Sequence, residues 1–117
     1  MAGLFNLRII FCSRNEIKYI HQNAFKDLRK LKVASFLKNK LSTFNEYCEQ
    51  NLISPFNNTK NLDKLNLALN NISMFYKDWR DHGVLTFINL QNNSITSIQV
   101  NSLSSKNYFF LLVNYEK

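Results

Sequence analysis

Apolar and polar residues follow one pattern that recurs along the chain. Each copy begins with three apolar residues, the second three positions after the first and the third two positions after the second. An asparagine follows the third apolar residue by three positions, and another apolar residue follows the asparagine by two. The copies are Leu7, Ile10, Cys12, Asn15 and Ile17; Leu31, Ala34, Phe36, Asn39 and Leu41; Leu62, Leu65, Leu67, Asn70 and Ile72; and Leu85, Ile88, Leu90, Asn93 and Ile95. A further apolar residue follows three positions later in each copy, at Ile20, Phe44, Phe75 and Ile98. Four copies in the same register are a far stronger signal than one short motif.

The first half of each copy predicts a short strand, because its last two apolar positions are two residues apart, as in a half-buried strand. One such strand cannot bury its apolar face alone, so parallel strands must stack and share a core. The asparagine ends the strand, where its side-chain amide can satisfy backbone groups of the turn and of the adjacent coil. The pattern therefore predicts a ladder of structural asparagines at Asn15, Asn39, Asn70 and Asn93.

This spacing is that of a leucine-rich repeat, which runs about 20–29 residues. The predicted fold class is an α/β solenoid, a horseshoe segment with parallel strands on its concave face and short irregular helices on its convex side. Residues 1–117 form a single array of four repeats and a partial fifth, with starts near Leu7, Leu31, Leu62, Leu85 and Lys106. The fifth copy is read from Phe109, Leu111 and Asn114, although Lys106 occupies its first leucine position. With no recognisable cap at either end, we expect an excerpt of a longer array.

The convex side is predicted from the segments between strands. Asn23–Leu28 predicts a short helical or 3₁₀ turn with Phe25 and Leu28 directed inward, and Tyr76–Trp79 occupies the equivalent place in the third repeat. The second repeat is longer than the others, and its excess is assigned to a loop insertion from Glu46 to Asn61, away from the strands.

Composition and charge narrow the function classes. The net charge is +7, but the basic residues are scattered, so we expect a solvated basic surface and no nucleic-acid partner. Cys12 takes a leucine position and is expected to be an inert core thiol, whereas Cys48 lies in the insertion. No zinc-ligand spacing, phosphate loop or catalytic motif accompanies His21 or His82. The sequence therefore predicts no enzyme activity, metal or cofactor.

The apolar stretches of the sequence match neither a signal peptide nor a membrane span. The first twenty residues do not resemble a signal peptide, because Asn6 and Arg8 interrupt the apolar stretch and no small-residue cleavage site follows. The longest apolar run, from Tyr108 to Val113, is far short of a membrane span. We expect either a cytosolic chain or a part of a larger protein.

The third and fourth repeats resemble a known family. The stretch from Asn61 to Ser73 is similar to a repeat of Toll-type receptor ectodomains, and the Asp78-Trp79 pair resembles one that insect Toll repeats carry on the convex segment. The stretch from Ile88 to Ile95 continues in this style. The resemblance implies an extracellular receptor of innate immunity or development, with a Spätzle-type cytokine as its protein ligand. Such a receptor sits at the plasma membrane through regions that this chain does not contain.

Two sets of candidate site residues follow from this register. The strand positions between the core residues form the predicted concave ligand-binding face: Ile9, Phe11, Arg14, Val33, Lys38, Lys64, Asn66, Phe87, Asn89 and Gln91. Apolar residues on such a face suggest a partner or an adjoining repeat, whereas an inert face with the ligand bound elsewhere on the array is the alternative. Three N-x-S/T sequons make Asn57, Asn71 and Asn92 glycosylation candidates.

The leading hypothesis is therefore a protein-recognition segment of a Toll-type receptor ectodomain, on the extracellular face of the plasma membrane. The alternatives are a secreted or cell-surface leucine-rich adhesion or structural protein without a signalling domain, and an intracellular leucine-rich scaffold. The sequence does not name the ligand or the face that binds it.

Overall fold

The computed structural model describes residues 5–42, 53–95 and 110–113. Within them, five strands form one parallel sheet in chain order. The strands are β1 (Ile9–Phe11), β2 (Val33–Ser35), β3 (Lys64–Asn66), β4 (Phe87–Asn89) and β5 (Phe110–Leu112). The segments between strands hold the 3₁₀ helix Pro55–Asn58 and the α-helix α1 (Lys77–Asp81). We call each strand, together with the chain that leads to the next strand, a coil, so that the first coil begins with β1.

Each of the strands β1 to β4 buries its middle residue, as an alternating half-buried strand should. These residues are Ile10, Ala34, Leu65 and Ile88, and they pair in register across β1 to β4. The row of buried residues makes the inner face of the sheet continuous from coil to coil. A parallel sheet with few helices confirms the predicted solenoid class, while the number of repeats and the horseshoe shape stay predictions.

The core lies between the sheet and the segments that return from it. It is built from the repeating apolar positions, among which Leu31, Leu62, Leu67 and Leu90 are fully buried. Burying one such side chain stabilises the fold by about 1.5–3 kcal/mol. Near the N-terminus, Leu7, Cys12 and Ile17 are only partly buried against this core. Cys12 is a free, half-buried thiol and not the fully enclosed core residue that its leucine position predicted.

The register of the last strand corrects the alignment of the fifth copy. Ile88 pairs with Leu111, so Leu111 occupies the position that the sequence pattern assigned to Phe109. A start at Lys106 is therefore two residues too early. The error is natural, because a slip of two residues leaves the alternation of faces unchanged and only the pairing of backbones can reveal it.

The predicted insertion is also corrected. Ser54, Pro55, Phe56 and Thr59 are all buried, so the second half of the span from Glu46 to Asn61 is not a surface loop. Phe56 precedes Leu62 by six residues, as Phe25 precedes Leu31 and Trp79 precedes Leu85. The 3₁₀ helix is therefore the regular return segment of the second coil, and the extra residues precede Ile53. Residues 43–52 lie outside the described part of the chain.

Candidate functional site

One side of the sheet faces away from the core, and we call it the open face. It consists of the strand residues that flank each buried middle residue, together with the residues that follow the strands up to the asparagine. The register aligns two rows across it, one being Ile9, Val33, Lys64 and Phe87, and the other Phe11, Ser35, Asn66 and Asn89. The predicted concave-face residues are thus brought together on one surface.

The open face over β1 and β2 is apolar and accessible. Phe11 has 72% of its surface exposed and Ile9 has 50%, while Val33 is half-buried beside Ile9. Next to Phe11 in the register, Ser35 is buried and its hydroxyl lies 2.9 Å from that of Ser13. An aromatic ring that is nearly three-quarters exposed on a rigid strand favours contact with another molecule.

Over β3 and β4 the open face is more polar. Lys64 is exposed, and Asn66, Phe87, Asn89 and Gln91 are half-buried. The side-chain oxygens of Asn66 and Asn89 each accept a hydrogen bond from a backbone N–H two residues later, at 3.1 and 3.0 Å. This half of the face therefore presents the amide groups of Asn66, Asn89 and Gln91 and the Lys64 ammonium group, beside the exposed side chain of Leu69.

The buried asparagines at the exit edge hold adjacent coils together. The Asn70 side-chain oxygen accepts from Leu41 N–H at 3.0 Å, and its amide donates to the backbone oxygens of Phe36, Leu67 and Ala68 at 3.0, 3.1 and 3.2 Å. Asn39 and Asn93 repeat this arrangement, with oxygens that accept from the N–H groups of Ile17 and Ile72; their amides donate to backbone oxygens of their own and the preceding coil.

Asn15 differs from the other three asparagines. It is exposed, and its amide donates only to Cys12 and Ser13 of its own coil among the described residues. Asn15 therefore stabilises the turn of its own coil, whereas each later asparagine also joins two coils.

The residue before each of these asparagines has a left-handed backbone. The φ angles are 60° at Arg14, 57° at Lys38, 58° at Leu69 and 58° at Asn92. The N–H groups of Arg14, Lys38 and Leu69 each donate to a carbonyl of the next coil at 2.8–2.9 Å. These bonds maintain a conformation that costs a residue with a side chain roughly 1–2 kcal/mol. Two candidate binding residues, Arg14 and Lys38, are therefore held at a fixed backbone geometry at the edge of the open face.

A buried polar clamp supports the return side. Both oxygens of the Asp78 carboxylate accept from Ser54, one from its N–H at 2.6 Å and one from its hydroxyl at 2.7 Å. The Trp79 ring N–H donates to the same hydroxyl at 3.1 Å. The Asp-Trp pair thus joins α1 to the N-terminus of the 3₁₀ helix in the preceding coil.

Sequence reasoning missed Ser54 and two other polar side chains that support the return side. Gln22 donates to the backbone oxygens of Ile53 and Ser54, and buried His82 accepts from Leu85 N–H while its other ring nitrogen lies 2.7 Å from Thr59 O. The signal that could have found Ser54 is the Ser-Pro pair just before Phe56, since serine caps a helix and proline suits its first position.

The three glycosylation candidates lie in different surroundings. Asn71 and Asn92 are exposed at the exit edge, where Asn71 follows Asn70 and Asn92 precedes Asn93. A glycan at either residue would project into solvent. Asn57 is half-buried in the 3₁₀ helix, and its sequon threonine, Thr59, is fully buried with its hydroxyl donating to Phe56 O at 2.5 Å.

The described residues offer little for small-molecule chemistry. A hollow of about 110 Å³ on the return side is lined by Asn57, Lys60, Asp78, His82 and Gly83, below the roughly 300 Å³ of typical ligand pockets. No group of three or more histidine, cysteine, aspartate or glutamate residues in the described ranges could hold a metal ion. Within the same ranges, no helix has the length and apolar character needed to cross a bilayer.

Comparisons with known proteins agree with this architecture. No protein-family model matches the sequence, and no curated protein does either. Among solved structures, the chain is similar to the leucine-rich repeat domain of APL1B, with a TM-score of 0.69 and 21% sequence identity. The match covers 90% of this chain and 30% of that one, so this chain spans less than a third of the solved domain. The fold of the chain is that of a leucine-rich repeat domain.

Proposed function

We propose that the chain is a protein-recognition segment that binds its partner through the open face of the sheet. The observation that carries this proposal is the exposure of Phe11 and Ile9 on β1, a regular strand with a backbone fixed by its neighbour. Exposed aromatic side chains on a rigid surface lose little conformational entropy on binding, and they are common among residues that dominate protein interfaces.

Binding by the open face predicts which substitution matters. Phe11→Ser removes the most exposed aromatic ring of the face without opening the core. Tyr19→Ser is the matched control, because Tyr19 is also exposed (51%) but lies four residues beyond Asn15, outside the strand. A binding partner should lose at least about tenfold in affinity to the first variant and almost nothing to the second. Equal effects of the two variants would show that recognition does not use this face.

The finer proposal is a segment of a Toll-type receptor ectodomain at the extracellular face of the plasma membrane. It is supported by the resemblance of the third and fourth repeats and by the clamp that Asp78 and Trp79 form. The exposed positions of Asn71 and Asn92 are compatible with glycans. Its protein ligand would then be a cytokine of the Spätzle type.

The test of the finer proposal has two parts. The transcript is read outward from both ends, where we expect a secretory leader upstream and a membrane span with a Toll/interleukin-1-receptor domain downstream. The native protein is then examined by mass spectrometry for N-glycans at Asn71 and Asn92. A leader without a signalling domain would favour a secreted or cell-surface adhesion protein, and the absence of leader and glycans would favour an intracellular scaffold. Either result removes the receptor assignment but leaves recognition by the open face standing.

A further inference from the structure

Two pairs of basic residues border the apolar part of the open face. Arg8 and Lys32 directly precede β1 and β2, and Arg14 and Lys38 follow the same strands by three residues. All four side chains are exposed. The pairs are adjacent across the coils, since Lys32 N–H donates to Arg8 O and Arg14 N–H donates to Leu37 O, both at 2.8 Å.

Among the residues that the structure describes, none of these four cations forms an ion pair. Within the described residues, the ion pair found is that of Lys40 with Glu16 at 3.9 Å, and it involves none of the four. Neighbouring parallel strands lie about 4.8 Å apart, so each basic pair places like charges on adjacent backbones. Like charges in such positions repel and destabilise the sheet. An anionic group bound between the members of each pair would remove that repulsion.

The basic pairs are confined to the two ends of β1 and β2. Directly before β3 the position of Arg8 and Lys32 is taken by Asp63, which accepts a hydrogen bond from the Thr86 hydroxyl. After β3 the position of Arg14 and Lys38 is taken by Leu69. The pattern of a cationic border around an apolar strip therefore ends at β3, which gives the surface a defined limit.

We infer that the open face over β1 and β2 binds an acidic, apolar segment of a protein partner. Its apolar side chains cover Phe11 and Ile9, and its carboxylates meet Arg8 with Lys32 at one border and Arg14 with Lys38 at the other. This inference rests on the proposed function and specifies the chemistry of the partner. The borders lie at most about 20 Å apart, the length of six fully extended residues at about 3.3 Å each, with apolar surface between them. A nucleic-acid strand, whose phosphates recur at each nucleotide, would leave that interval without cations.

The inference is tested with a library of random twelve-residue peptides displayed on phage and selected on the full 117-residue chain. Selected peptides should contain aromatic or aliphatic residues together with an excess of aspartate and glutamate. Arg14→Asn with Lys38→Asn removes two border charges with a residue type that tolerates a left-handed backbone, so the double variant should fold. It should weaken the selected peptides by about tenfold, an effect reduced by salt.

A control variant tests whether the position of the charges matters. Lys26→Asn with Lys77→Asn removes two exposed charges from the return side, away from the open face. This control should bind the selected peptides as the parent chain does.

The outcomes are distinguishable. One outcome is a set of peptides that have no acidic excess, bind Phe11→Ser more weakly and bind the Arg14→Asn, Lys38→Asn variant as well as the parent chain. This outcome would overturn the inference and leave the proposed function standing. A library that yields no peptide sensitive to Phe11→Ser would count against both. Oligothymidylate or phosphatidylserine vesicles are then tested as competitors of the selected peptides. Displacement of the peptides by a competitor that binds Phe11→Ser as well as it binds the parent chain would assign the four cations to another anion. That result would also overturn the inference.

Discussion

At the exit edge of the sheet, Asn39, Asn70 and Asn93 meet the same backbone groups in each coil and make the same bonds. On the return side, the corresponding core position is Phe25 in the first coil, Phe56 in the second and Trp79 in the third. Three residues later, the chain places Leu28, Thr59 and His82. All six of these return-side residues are buried, yet they share neither size nor polarity.

The difference has a geometric cause. Strand exits repeat every hydrogen-bonding group at a constant spacing, so one residue type satisfies each copy. The return segments differ in length, since the aromatic residue follows the asparagine by ten, seventeen and nine positions. Each return segment therefore follows a different path and fills the core with different side chains. The first two use stacked rings, with centroids of Phe25 and Phe56 5.1 Å apart, and the third uses a hydrogen-bonded clamp.

The return side should be the more sensitive to loss of volume. Trp79→Ala opens a cavity at a fully buried site and removes the ring N–H bond to Ser54, so the free energy of unfolding should fall by about 3–5 kcal/mol. Trp79→Phe retains most of the volume and should cost about 1–2 kcal/mol. Urea unfolding followed by circular dichroism measures both. Equal losses for the two variants would mean that the clamp, and not the packing, dominates.

The ladder should depend on position within the array. Asn70→Ala leaves Leu41 N–H and several carbonyls without a buried partner and should cost about 2–4 kcal/mol. Asn15→Ala should cost less than about 1 kcal/mol, since Asn15 is exposed and water replaces its bonds. The same urea titration compares them. Similar costs at both positions would contradict a role of the later asparagines in joining coils.

The clamp itself is tested by Asp78→Asn. An amide can accept from one Ser54 donor but turns its NH₂ toward the other, so we expect a loss of about 1–3 kcal/mol. Asp27→Asn, at an exposed turn position, is the control and should change little. Amide hydrogen exchange at Ser54 should also accelerate in the first variant. Unchanged exchange there would show that the carboxylate does not hold the 3₁₀ helix.

The smallest expected effect is a gain in stability. Leu69→Asn relieves the left-handed strain at φ 58° and should raise the free energy of unfolding by about 0.5–1 kcal/mol. Leu69→Ala removes the same exposed side chain but keeps the strain, and it should not increase stability. Differential scanning calorimetry distinguishes the two. A higher melting temperature for both variants would point to loss of the exposed leucine as the cause.

Much of the candidate site was predictable because strand positions follow a period of two. Once the buried residues were in register, Ile9, Phe11 and Val33 had to lie on the opposite face from Ile10 and Ala34. The basic border was not recognised, because Arg8 and Lys32 are far apart in the sequence and become neighbours only when the coils stack.

The sequence by itself determined the repeat, the parallel sheet and the asparagines at the strand exits, because each of these is repeated at a spacing that the chain displays directly. Tertiary structure decided which side chains support the return side and in which register β5 pairs with β4. Ser54 acquires its role only when Asp78 of the next coil closes on it, and no spacing rule links two such residues. The position of Leu111 opposite Ile88 was likewise decided by backbone pairing, since an alternating pattern reads equally well in registers two residues apart.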